Sequence, residues 1–138
     1  MVRLTYAVLV ALSLAVHGAA AGDAENAAAQ SSIEAQLKAF LAGDDAAAYT
    51  YAAPNVTRLF PTLEAFMSMV TRGYAPVHQP KSYACGPTEE RGNGLAQQVF
   101  VVGPDGKDYE AVYTLELQPD GVWRITGVSL RASQSIGT

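Results

Sequence analysis

The sequence predicts an α+β domain in which N-terminal helices pack on a curved antiparallel sheet. Apolar residues in the first half recur at helical spacing, whereas those in the second half alternate within runs rich in Val, Ile, Tyr and Trp. Two Pro-Asp-Gly turns separate the later runs, which is the signature of strands joined as hairpins. A length of 138 residues suits one such domain.

The first element in chain order is an export segment. Arg3 gives a positive start, Leu4 to Val16 is apolar apart from Thr5 and Ser13, and Ala19-Ala20-Ala21 offers the small-x-small pattern that signal peptidase accepts. The stretch is short of the roughly 20 residues that span a bilayer. Residues 1–21 are therefore expected to be a signal peptide cut after Ala21, in contact with the membrane only transiently, and the mature protein is expected in the periplasm or outside the cell. The cut removes His17, leaving His78 as the only histidine beside Cys85 as the only cysteine. A single cysteine forms no internal disulfide, so packing alone must hold the fold.

Residues 22–30 (GDAENAAAQ) have no large apolar anchor and are expected to be a flexible tail. The single domain is placed at 31–131, with a C-terminal tail at 132–138. Ile33, Leu37, Phe40 and Leu41 form one helical face, with Ser31 or Ser32 as N-cap and Gly43 as the stop. Asp44 or Asp45 can cap an Ala-rich helix that ends before Pro54. Asn55 to Phe60 reads as a short helical turn with Asn55 as cap, and Thr62 caps a helix carrying Leu63, Phe66, Met67 and Val70 on one face. A strand is expected around Gln79 to Cys85, then a loop through Gly86-Pro87, the solvated Glu89-Glu90-Arg91 and Gly92-Asn93-Gly94. Leu95 to Val102, Asp108 to Leu117 and Val122 to Leu130 complete a meander, with Gly127 marking a bulge. Trp123 faces inward and Arg124 outward, where Glu116 or Glu110 is its expected cross-strand partner.

A net charge of -4 and a pI near 5.0 exclude the basic patch that a nucleic-acid binder needs. One His and one Cys cannot supply a three-ligand zinc site, and no Gly-x-Gly-x-x-Gly, Walker or Gly-x-Ser-x-Gly motif is present. No metal and no cofactor are expected.

The order Phe40-Leu41-Ala42-Gly43-Asp44-Asp45, Tyr49, Tyr51-Ala52-Ala53-Pro54, Phe60, Phe66 and Gly73-Tyr74-Ala75-Pro76-Val77, followed by Tyr113-Thr114-Leu115 and Asp120-Gly121-Val122-Trp123-Arg124-Ile125, resembles a bacterial family of short exported proteins of unknown function. Its layout is similar to the nuclear transport factor 2-like superfamily. The resemblance spans Ile33 to Leu130 and implies a cone of helices closed by a curved sheet, often dimeric. It carries over no catalytic residue.

A cone of this kind encloses a pocket suited to a small apolar ligand, with Tyr49, Phe66, Tyr74, Tyr113 and Trp123 as its expected lining. Acid–base chemistry there would draw on Asp44, Asp45 and His78 with a tyrosine donor. The plainer reading makes the aspartates caps, His78 a loop residue and the tyrosines core. The sequence thus favours a non-catalytic domain binding a small ligand or another protein, including a second copy through the sheet. A pocket isomerase or dehydratase and a structural envelope protein are the alternatives.

Overall fold

The Ala-rich N-terminal sequence favours helix at almost every position, and one helix, α1, runs through Ala19–Leu41. The computed structural model describes residues 19–133. The expected signal peptide lies outside the described residues except for its last three positions, as does the expected C-terminal tail from residue 134 on.

Two expectations for this end are corrected. Residues 22–30 are helical rather than a flexible tail, and Ser32 sits buried in mid-helix rather than at its start. Ala29 is 0% exposed and continues the stripe of Ile33, Leu37 and Phe40 by one turn. A methyl group is anchor enough here, because a small side chain lets the helix approach the sheet closely.

The middle of the chain breaks into short helices at its cap and proline signals. α2 (Asp45–Thr50) begins where the Asp44 carboxylate accepts the Ala47 N–H at 3.1 Å. α3 (Pro54–Leu59) has Pro in its first turn and no side-chain cap. Asn55 does not cap it as expected; its amide donates to the Thr126 carbonyl across the sheet edge. α4 (Leu63–Gly73) is capped by Thr62 through the Ala65 N–H at 3.1 Å, a contact of a kind that contributes about 1 kcal/mol. α5 (Ala75–His78) is an additional helical turn with Pro in its first turn, so His78 ends a helix rather than lying in a loop.

Four antiparallel strands follow in the order β1-β2-β3-β4: β1 (Ser82–Arg91), β2 (Gly94–Val102), β3 (Asp108–Leu117) and β4 (Trp123–Ala132). β1 is longer than expected and absorbs the anticipated loop. Gly86-Pro87 forms a bulge where the register jumps between Cys85 and Thr88, so Pro87 needs no ladder partner. The second bulge falls between Thr114 and Leu115, opposite Thr126 and the expected Gly127. Ala132 pairs with Tyr109, so the C-terminal strand extends past the expected boundary at 131. Both Pro-Asp-Gly turns form as expected: Gly106 and Gly121 have φ of 77° and 84°, a region open to glycine, while Asp105 and Asp120 accept the N–H groups of Lys107 and Val122.

Helices cover one face of the sheet. Ala29, Ile33 and Leu37 join Val99, Ala111, Tyr113, Leu115, Trp123 and Ile125 in the main core. A second core gathers Phe40, Ala48, Ala52, Phe66 and Val70 among the helices. The two meet at the β4 edge, where Ala53 N–H donates to Ile125 O and Ile125 N–H donates to Tyr51 O, both at 2.8 Å.

Candidate functional site

Helices α1 and α3 both pack against β4, and Ala52 bridges to Ile125 of that strand. Between the two cores the helices and the sheet leave a cavity of about 260 Å³. α1 contributes Gln36 and Phe40; α3 contributes Asn55, Val56 and Leu59; α4 contributes Phe66, Met69 and Val70. Tyr74 and Val77 close one end, and Tyr113 with Ile125 to Val128 form the sheet wall. The β4 bulge thus lies in the wall itself.

The lining includes no Asp, Glu, Lys, Arg or His. Its polar groups are few and partly committed. Gln36 is 5% exposed and its amide donates to Ala48 O at 3.1 Å, an assignment fixed because that carbonyl can only accept. Tyr113 is fully buried, and its hydroxyl is the one buried side-chain polar atom without a partner among the described residues. Burial, and to a smaller extent the nearby Cys85, push its phenol well above the ordinary range, so it stays protonated as a neutral donor. The Cys85 thiol is raised too, by burial first and then by Glu34.

Of the expected lining residues, Phe66, Tyr74 and Tyr113 line the cavity and two do not. Tyr49 stands behind the wall: its ring centroid lies 5.0 Å from that of Phe66 and its hydroxyl donates to Phe60 O at 2.6 Å. Trp123 is in the main core, beyond the cavity's end. The other lining positions were missed, among them Gln36 and the bulged segment Thr126-Gly127-Val128 of β4. The bulge shifts strand parity there, which alternation alone does not reveal.

The expected acid–base set does not assemble. Asp44 is an exposed helix cap, and Asp45 starts α2. His78 packs edge-on against Phe40 with ring centroids 5.5 Å apart. None of the three lines the cavity. Arg124 stands opposite Glu116 in the β3–β4 register, as expected, but its ion pair is a bidentate one with Asp120 at 2.9 Å and it also donates to Thr50 O, while Glu110 pairs with Arg131.

The model of one protein family, described as a domain of unknown function (DUF4864), matches residues 22–138. The chain belongs to the DUF4864 family. No curated protein matches this DUF4864 chain. Among solved structures it is similar to an NTF-2 like protein of unknown function from Burkholderia xenovorans LB400, at 11% identity and a TM-score of 0.51, over 83% of this chain and 89% of the other. At that identity the likeness concerns the fold: helices followed by an open antiparallel sheet, the α+β layout of NTF-2 like proteins.

Proposed function

We propose that this DUF4864 protein is an exported binding protein that holds a small, mainly apolar molecule between its helices and its sheet. The supporting observation is the cavity: about 260 Å³, walled chiefly by apolar side chains and free of charged ones. Ligand pockets of about 300–1,000 Å³ take drug-sized molecules, so this one suits something smaller. Scaling from the ~150 Å³ cavity that holds benzene gives about ten non-hydrogen atoms. Leu59 sits at the mouth and is 74% exposed, an apolar rim for such a ligand to cross.

Native mass spectrometry on protein recovered after export tests this reading, with a co-purifying small molecule as the expected result. A ligand-free mass, together with no thermal shift from any small neutral apolar compound, would sink it. Export rests on Arg3, the apolar run to Val16 and Ala19-Ala20-Ala21, and on a family match that starts at residue 22. N-terminal sequencing of the recovered protein should begin at Gly22; a chain beginning at Met1 removes that part of the proposal.

A second reading is pairing with another copy through the outer face of the sheet. It draws on Phe100, 43% exposed on the outward side of β2. Light scattering should then show a dimer that Phe100→Glu converts to monomer, whereas a wild-type monomer at high micromolar concentration discards it.

A further inference from the structure

The wall chemistry of the cavity restricts what it can hold more narrowly than its size does. A charged molecule would enter a lining with no counter-charge, and an unpaired buried charge is disfavoured by several kcal/mol. A pure hydrocarbon would leave the Tyr113 hydroxyl as it stands, buried and without a partner. Such a group is destabilising relative to a paired one, because the solvent hydrogen bond lost on folding is not replaced. The neighbouring buried amides behave otherwise. Gln97 is partnered at both ends, by Gln30 and Thr88 at its oxygen and by Gly86 O and Gln98 O at its nitrogen. Gln36 has its nitrogen tied to Ala48 O. Among the described residues, the Tyr113 hydroxyl is the one buried side-chain polar atom that has no partner at all.

We propose that the ligand is a neutral molecule, apolar over most of its surface, with one carbonyl, ether or hydroxyl oxygen that accepts the Tyr113 proton inside the cavity. This rests on the binding reading above and adds the ligand's polarity to it. Tyr113 acts as a recognition residue: its ring forms wall, and its hydroxyl selects oxygen-bearing molecules over hydrocarbons of the same shape. Specificity of this kind arises because a site with a buried donor disfavours a ligand that leaves the donor unpaired.

Three probes of matched size separate the terms: cyclohexyl methyl ketone, isopropylcyclohexane and cyclohexanecarboxylate. Affinities are measured for the wild type and Tyr113→Phe by displacement of a fluorescent apolar dye, with calorimetry on the ketone. The wild type should prefer the ketone to the hydrocarbon by roughly three- to tenfold, the worth of one hydrogen bond, and should reject the carboxylate. In Tyr113→Phe the ketone should fall to the level of the hydrocarbon, whose own affinity is unchanged or higher.

Equal wild-type affinity for ketone and hydrocarbon overturns the role of Tyr113 while leaving the cavity reading intact. A ketone preference that survives in Tyr113→Phe does the same. Carboxylate binding as tight as that of the ketone overturns the neutrality of the ligand. If none of the three binds, the cavity reading falls together with this inference. The wild-type comparison needs no variant, so the outcome stands even if Tyr113→Phe folds poorly.

Discussion

Gln97 and Tyr113 are register partners on β2 and β3, both fully buried, and they answer opposite tests. Gln97 satisfies a cluster of polar groups around the β1 bulge, so Gln97→Ala leaves Gly86 O and the Thr88 hydroxyl without it. Removing a fully buried amide that bonds several part-buried groups is destabilising by about 2–4 kcal/mol, which urea denaturation should show as a lower midpoint at unchanged slope. Tyr113→Phe removes a hydroxyl that has no partner, and its midpoint should be unchanged or raised by up to about 1 kcal/mol. A loss above that range would mean the hydroxyl is paired in solution. Alternation read Tyr113 correctly as inward, because it sits in register with Ala111 and Leu115. It did not flag Gln97, since a polar residue in an apolar run reads as outward unless parity with Leu95, Val99 and Val101 is enforced.

Elements were most legible where a local rule has one outcome. Asp44, Thr62, Pro54 and the two Pro-Asp-Gly turns set their boundaries through side-chain bonds or fixed dihedrals, and each formed where the sequence placed it. The first helix was less legible because its anchors before Ile33 are alanines, whose burial depends on a sheet some 70 residues away rather than on their own size: Gln30 donates to Gln97 at 3.0 Å with a separation of 67. A mature chain shortened to begin at Ser31 should therefore lose about 1–3 kcal/mol, from the Ala29 contact and a bond to a buried amide. One shortened only to Glu25 should stay within about 0.5 kcal/mol of the parent. If both truncations melt like the parent, the N-terminal turns are not docked. The β3–β4 turn yields a pH prediction. Arg124 donates two bonds to Asp120 and holds its carboxyl below the usual carboxylate range. A depressed acid contributes stability above its unfolded pKa of about 3.9, and that contribution is lost as pH falls through the lower folded value. Asp120→Asn should thus give a shallower stability loss below about pH 4 than the wild type, read from urea midpoints across a pH series. Because Asp120 is exposed at the surface, the difference should shrink in high salt.

At the scale of the whole molecule the chain has two cores with a gap between them, and the gap depends on features that no single segment encodes. Helix stripes and strand alternation predicted the layers, yet the cavity wall includes the bulged segment Thr126 to Val128 of β4, which alternation alone does not place. A gap of this kind makes stability responsive to ligand: a molecule that binds only the folded state adds RT ln(1 + [L]/Kd), about 2.7 kcal/mol at one hundred times Kd. Filling the same space covalently should separate stability from binding. Met69 lines the cavity from α4, is only half-buried and has a flexible side chain that larger groups can replace. Met69→Trp is expected to occupy part of the void with apolar surface, leaving the unliganded protein as stable as the parent within about 1 kcal/mol. The ligand-dependent rise in melting temperature should meanwhile disappear, because the space that produced it is filled. A variant that folds normally and still responds to the ketone as the wild type does would place the binding site elsewhere on the molecule. Loss of the response with stability retained would tie the binding energy to the space between the two cores.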